Sequence, residues 1–131
     1  MDPARLTAIP VFAGLTEEQR DRLASAAGEL EVEEGTVLAQ EGDFGYAMFA
    51  VEHGTADVFR DGAVIRELGP GDVFGEIAIL SSGRRTASVV ATSPMRLLTV
   101  FNRDLWRLEE DAPELVRSLR ETIGSRLRAN A

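Results

Sequence analysis

The protein has 131 residues, of which 44% are hydrophobic and 27% are charged, the composition of one ordinary globular domain. It has no cysteine and a single histidine, His53, which excludes disulfides, thiolate metal sites and multi-histidine metal sites. No apolar run approaches the roughly 20 residues of a membrane helix, and the first residues lack the layout of a signal peptide. We therefore expect a cytoplasmic protein that does not contact a membrane.

The net charge of −8 is distributed unevenly along the chain. Residues 1–76 carry 16 acids and 5 arginines, a net charge of −11, whereas residues 77–131 carry 6 acids and 9 arginines, a net charge of +3. An acidic protein is repelled by the phosphates of nucleic acids. We therefore expect no direct binding to nucleic acid, and we expect any bound anion to lie beside the C-terminal arginines.

The first 28 residues predict helical structure. Residues 4–9 predict a short helical turn that Pro10 stops. Thr16 and Gln19 have the spacing of a capping box at the start of a longer helix, with Gly28 near its end. Apolar residues follow at helical spacing and predict its buried face: Leu23, Ala26, Ala27 and Leu30.

From residue 29 to residue 101, turn signals recur every 7 to 14 residues, which is typical of an all-β sandwich or barrel. The predicted turns are Gly35, Gly42, Gly54, Asp61-Gly62, Gly69-Pro70-Gly71 and Gly83. Short β-prone runs lie between them, at residues 36–39, 46–51, 55–60, 63–68, 86–91 and 96–101. Asp61-Gly62 suits a type I′ hairpin turn. The run 46–51 is apolar throughout, so we expect it to be covered on both faces.

Residues 102–131 predict two further helices. The first, over residues 102–110, carries three apolar side chains, and Trp106 is expected in the core or at a helix contact. Asp111 is the predicted N-cap of the second helix, with Pro113 in its first turn, where the missing N–H costs nothing. An apolar stripe in the second helix is expected to pack on the β-structure or on a partner helix: Leu115, Leu119, Ile123 and Leu127.

The chemistry of residues 69–87 suggests a nucleotide. Arg85 offers a planar fork of donors that matches a phosphate, and Glu76 offers a carboxylate that suits sugar hydroxyls. Gly75 permits close backbone approach, and residues 75–80 are long enough for one helical turn, whose N-terminus favours anions. In the structural alternative, Glu76 and Arg85 form only an ion pair. Arg84 and His53 are expected to be solvated surface residues.

Residues 74–80, FGEIAIL, and residues 85–87, RTA, resemble the phosphate-binding cassette of cyclic nucleotide-binding domains. The resemblance extends to residues 9–16, 41–43, 51–54 and 68–72. It implies a mainly β fold, a jelly-roll sandwich with flanking N- and C-terminal helices. The whole chain, 1–131, is then one domain: an N-terminal helical segment at 1–28, a β-roll at 29–101 with the cassette at 74–87, and C-terminal helices at 102–131.

The resemblance also implies residue roles. Arg85 would pair with the cyclic phosphate, the amides of Ala78 and Thr86 would bond its oxygens, and Glu76 would accept from the ribose 2′-hydroxyl beside the backbone of Gly75. The helix after Pro113 would be the mobile lid. The implied ligand is cAMP or cGMP, with cAMP favoured, although a threonine at the place of Thr86 contacts guanine in cGMP-selective relatives.

The resemblance implies a sensor rather than an enzyme, with no cofactor, metal or catalytic residue. The composition agrees, because the chain has one histidine, no cysteine and no pair of carboxylates placed for acid–base work. Two alternatives stay open: a ligand-free protein-interaction module, and the sensor fragment of a larger transcription regulator or channel. The effector partner is unknown, and a homodimer through the C-terminal helix is also open.

Overall fold

The computed structural model describes residues 1–45, 47–75, 85–117 and 120–121, in which two antiparallel four-stranded sheets lie between helical segments. Their strands are β1 (Gly28–Val32), β2 (Val37–Ala39), β3 (Ala47–His53), β4 (Ala56–Arg60), β5 (Ala63–Leu68), β6 (Val73–Phe74), β7 (Ser88–Ala91) and β8 (Met95–Phe101). One sheet has the order β1-β8-β3-β6, and the other has the order β2-β7-β4-β5. This architecture confirms the mainly β fold with flanking helices that the sequence predicts.

The N-terminal segment contains two short 3₁₀ helices, Pro3–Ala8 and Pro10–Phe12, and the α-helix α1, Glu17–Ala26. Pro10 begins the second 3₁₀ helix, where its missing N–H leaves no bond unmade. The capping box of α1 is confirmed. The Gln19 N–H donates to Thr16 Oγ1 at 3.1 Å, and the Thr16 N–H donates to Gln19 Oε1 at 2.9 Å.

The predicted place of Leu30 on the buried face of α1 is wrong. The helix ends at Ala26, and Leu30 lies in β1, opposite Leu97 of β8, with 37% of its surface exposed. Strand pairing, which is not local in sequence, overrides the helical spacing here. Glycine is favoured at position 28, the first residue of β1, because a Cβ there would lie only 2.9 Å from Thr99 Oγ1.

The hairpin between β4 and β5 has the predicted turn. Asp61 has φ +53° and Gly62 has φ +79°, the two positive angles that a type I′ turn requires. Residues 47–51 of β3 are buried or half-buried throughout, which confirms that this strand is covered on both faces. Tyr46 and Gly83 lie outside the described residues.

The C-terminal helix α2, Asn102–Asp111, buries Leu105 and Leu108 but leaves Trp106 58% exposed. Of the two predicted places for Trp106, the core is wrong, because a helix of 3.6 residues per turn directs it away from the face that the two leucines share; the helix contact stays a prediction. Asp111 is the last residue of α2 rather than an N-cap. The next helical stretch begins at Pro113, and Leu115 is buried in it. Leu119, Ile123 and Leu127 lie outside the described residues.

The buried side chains form two clusters, one on each side of the first sheet. One cluster joins this sheet to the helices at both ends of the chain and includes Leu23, Val73, Leu105 and Leu115. The other fills the space between the two sheets and includes Phe74. The consecutive residues Val73 and Phe74 of β6 therefore pack on opposite sides of the sheet, as strand geometry requires.

Candidate functional site

The backbone of Arg85 is held by the turn between β2 and β3. The Gly42 N–H donates to the Arg85 carbonyl at 2.9 Å, and the Arg85 N–H donates to the Asp43 carbonyl at 2.7 Å. A trans peptide places its C=O and N–H on opposite sides. Because the Arg85 carbonyl faces Gly42, the N–H of Thr86 in the same peptide points away from this turn.

The Arg85 side chain spans the ends of two strands. Nη2 donates to the Ala47 carbonyl at 2.9 Å, and Nη1 donates to the Gly75 carbonyl at 3.2 Å. The guanidinium carbon lies 5.8 Å from the centroid of the Phe49 ring, within the range of a cation–π contact. These contacts fix the guanidinium at the point where β6 ends and β3 begins.

Glycine at position 75 is required by this close approach. Gly75 has φ +84°, a conformation that side chains rarely adopt. A Cβ there would overlap Arg85 Nη1 and would lie 2.8 Å from the Ala47 carbonyl oxygen. The backbone of Gly75 therefore touches the arginine itself.

The short strand β6 is held in place by an aromatic pair. Phe74 lies opposite Phe49 of β3, and their rings stack with centroids 4.9 Å apart and an interplanar angle of 19°. Such pairs contribute about 0.5–1.5 kcal/mol beyond the area that they bury. The stack connects the backbone that carries Gly75 to the strand that carries Ala47.

Thr86 follows Arg85 in the chain and offers a backbone donor. Its side chain is exposed, and its N–H makes no hydrogen bond to any residue that the structure describes.

A cleft of about 470 Å³ borders Arg85, and Phe44 and Phe101 also line it. This volume is sufficient for a small ligand. A guanidinium and a backbone amide are suitable donors for an anion.

Three of the predicted site residues are described, and the structure brings Gly75 and Arg85 into direct contact, with Thr86 next in the chain. Glu76, Ala78 and Arg84 lie outside the described residues. Sequence reasoning missed Ala47 and Phe49, which contact the guanidinium. The sequence marked them only as members of the apolar run 46–51, because their contacts with Arg85 cross between segments that are distant in the chain.

His53 lies at the opposite end of β3 from Ala47 and is exposed, which confirms its predicted surface position. Among the described residues, no group of three or more histidine, aspartate or glutamate side chains is placed to hold a metal ion. The described helices include none that is both long enough and apolar enough to cross a membrane.

The model of one protein family, the cyclic nucleotide-binding domain, matches residues 29–111, well over half of the chain. The chain belongs to this family. The matched region contains the Arg85 site and both of its bounding strands, and the resemblance seen in the sequence is confirmed.

Individual relatives agree with this assignment. The Cyclic AMP receptor protein of Thermus thermophilus is 33% identical over 124 residues, covering 91% of this chain and 57% of the relative. A cAMP-dependent protein kinase regulatory subunit of Hypocrea atroviridis is 31% identical over 115 residues, covering 88% of this chain and 25% of the relative. The chain thus spans between a quarter and just over half the length of these curated relatives.

A solved structure of a Geobacter metallireducens protein has the same fold. It matches with a TM-score of 0.88 at 24% identity, covering 98% of this chain and 97% of its own.

Proposed function

We propose that this chain is a sensor that binds a cyclic nucleotide, prefers cAMP and also binds cGMP, and is not an enzyme. The observation that carries the proposal is the Arg85 guanidinium, held by the carbonyls of Gly75 and Ala47. The next residue, Thr86, has an N–H that bonds no residue that the structure describes. Family membership supports it, because cyclic nucleotide-binding domains regulate through binding. The names of the two curated relatives favour cAMP.

In this proposal, Arg85 pairs with the cyclic phosphate and the amides of Thr86 and Ala78 bond its oxygens. Glu76 accepts from the ribose 2′-hydroxyl, and the Gly75 backbone lies close to the ligand. The contacts that hold the Arg85 side chain support this role, because a preorganised arginine loses little rotamer freedom when the ligand binds.

The output of the sensor is a shift of the helix that follows Pro113. A ligand that binds one helix position better than another changes their populations. The packing of Val73 supports such coupling, because this residue lies two positions before Gly75 and belongs to the same buried cluster as Leu108 and Leu115. The same proposal treats residues 1–131 as one sensor domain that acts in the cytoplasm without binding nucleic acid directly.

Titration calorimetry with cAMP and with cGMP tests the proposal. A charge-assisted hydrogen bond contributes about 1.5–3 kcal/mol, so Arg85→Ala should weaken binding by roughly 10- to 150-fold at about 1.4 kcal/mol per tenfold. Arg96→Ala is the matched control. Arg96 lies on β8, is exposed and pairs with Glu31 at 3.0 Å, so its removal should leave the affinity unchanged.

Two outcomes would contradict the proposal in different ways. Parent protein that binds neither nucleotide, and that carries none when denatured and examined by mass spectrometry, would exclude the sensor and favour the ligand-free interaction module. Equal losses in the two arginine variants would place the phosphate elsewhere. Thermal unfolding adds a second measurement, since a ligand at 100 times its Kd stabilises the folded state by about 2.7 kcal/mol.

A further inference from the structure

Arg60, the last residue of β4, reaches the segment that follows Arg85. Its Nε–H donates to the carbonyl oxygen of Thr86 at 3.3 Å. The pairing between β4 and β7 ends with Phe59 opposite Ser88. The contact therefore lies just beyond the end of the ladder, where strand pairing does not hold the backbone of Thr86.

Thr86 lies between two anchored peptides. In the peptide before it, the Arg85 carbonyl accepts a hydrogen bond from the Gly42 N–H. In the peptide after it, the Thr86 carbonyl accepts a hydrogen bond from the Arg60 Nε–H. Because a peptide is planar, the bond to the Arg85 carbonyl also orients the Thr86 N–H in the same peptide. The bond from Arg60 to the Thr86 carbonyl restrains the next peptide, so it limits how far rotation about φ and ψ of Thr86 can displace this segment.

The hairpin that carries Arg60 is itself tied to its surroundings. The Glu41 N–H donates to Ser88 Oγ at 2.8 Å, and Glu41 Oε1 accepts from the Asp61 N–H at 3.3 Å. The turn before β3, the turn after β4 and the start of β7 are thereby connected. Arg60 precedes this type I′ turn, so the backbone from which its side chain extends is held in place.

We propose, on the basis of the proposed function, that Arg60 is a positioning residue for the cyclic phosphate. It does not touch the ligand in this role. Its Nε–H holds the Thr86 carbonyl, and this hold keeps the Thr86 amide aligned with one exocyclic oxygen of the phosphate. The affinity therefore depends on the geometry of the Arg60 donor as well as on its charge.

Arg60→Lys tests the geometry, because lysine keeps the positive charge but cannot place a donor at the Nε position. The ligands are cAMP and the two diastereomers of its cyclic phosphorothioate, in which sulfur replaces one or the other exocyclic oxygen. Loss of one hydrogen bond, about 0.5–1.5 kcal/mol, corresponds to roughly 2- to 10-fold weaker cAMP binding. We also expect the ratio of the two phosphorothioate Kd values to change by about threefold or more.

Arg66→Lys is the matched control, since Arg66 lies on the same hairpin and makes a 3.3 Å contact, to Asp72. It should leave both the affinity and the diastereomer ratio unchanged. The Thr86 amide resonance in ligand-free protein gives a second measurement. The chemical shift of this amide should change in Arg60→Lys and should stay unchanged in Arg66→Lys.

The outcomes separate this inference from the proposed function. Parent protein that binds no cyclic nucleotide would overturn both. Parent protein that binds cAMP, with an Arg60→Lys variant of unchanged affinity and diastereomer ratio, would overturn only the role of Arg60. An equal loss for both diastereomers, accompanied by a lower Tm and a stationary Thr86 resonance, would show a merely structural contact and would overturn it as well.

Discussion

Gly75→Ala is the substitution that most directly tests the site geometry. A methyl group at this position would overlap Arg85 Nη1 and would approach the Ala47 carbonyl oxygen to 2.8 Å. The carbonyl oxygen belongs to a paired strand and cannot withdraw, so the guanidinium must move. We therefore expect this single methyl group to displace the arginine that we propose to bind phosphate.

The expected loss of stability in Gly75→Ala has two parts, backbone strain and lost hydrogen bonds. A side chain at φ +84° costs about 1–2 kcal/mol in backbone strain. Displacement of the guanidinium breaks the hydrogen bonds to Gly75 and Ala47, of which even one contributes about 0.5–1.5 kcal/mol. With the strain and both bonds lost, we expect the free energy of unfolding to fall by about 2–5 kcal/mol, which corresponds to a decrease in Tm of roughly 10–20 °C for a domain of this size.

Gly35→Ala separates the two parts. Gly35 has φ +87°, nearly the angle of Gly75, but a Cβ there meets no atom within 4 Å. This variant should show the backbone strain alone, with unchanged nucleotide affinity. Gly75→Ala should in addition weaken cAMP binding by at least tenfold, because about 1.5–3 kcal/mol of charge-assisted bonding is lost.

Thermal unfolding and titration calorimetry on both variants and the parent decide the matter. Equal destabilisation and equal cAMP affinity in the two alanine variants would refute the requirement for glycine at the contact with Arg85. That result would mean that Arg85 does not need its contact with Gly75. A large loss of stability in Gly75→Ala with full affinity would keep the steric argument but would remove Arg85 from the phosphate.

Three further predictions concern the helices and the ligand. Thr16→Ala removes the N-cap of α1 and should reduce the free energy of unfolding, measured in urea, by about 1 kcal/mol with unchanged nucleotide affinity in calorimetry. Thr7→Ala, which removes only an exposed hydrogen bond to the Ala4 carbonyl, should destabilise the protein less and should also leave the affinity unchanged. If Glu76 has its proposed role, the 2′-deoxy form of cAMP should bind at least tenfold more weakly than cAMP itself, because the carboxylate loses the partner of a charge-assisted bond worth about 1.5–3 kcal/mol; equal affinities would exclude this role. Hydrogen exchange over residues 112–128 should slow when cAMP binds, and unchanged protection at saturation would exclude a mobile lid.

The strands flanked by glycine turns were predictable because their signals are local. The type I′ turn follows from Asp61-Gly62 alone, and the capping box follows from the spacing of Thr16 and Gln19. The strands β1 and β6 were not predicted as such. Leu30 fits a helical spacing that only pairing with β8, far along the chain, overrides. Strand β6 has two residues, too few for an alternating pattern, and it is defined by its pairing with β3, where Phe74 stacks on Phe49.

The sequence could predict the chemistry of the candidate site but not the contacts that hold the Arg85 side chain. Arg85 and Gly75 could be selected from residue type and from the family resemblance. The contact between them could not, because it depends on the position of the Ala47 carbonyl and on the Phe49 ring beneath the guanidinium. A backbone carbonyl is present at every residue, so no sequence pattern marks the one that receives an arginine.

The position of the site at the end of β6 supplies a physical reason for coupling to the helices. Gly75 directly follows two buried residues, and these pack on opposite sides of the sheet, Phe74 toward the second sheet and Val73 toward the helices. Closely packed side chains transmit a displacement rather than absorb it. A ligand that moves Arg85 must therefore either break its bond to the Gly75 carbonyl or carry the end of β6 with it. In the second case Val73 shifts against its helical cluster, and we expect the populations of the helix positions to change with it.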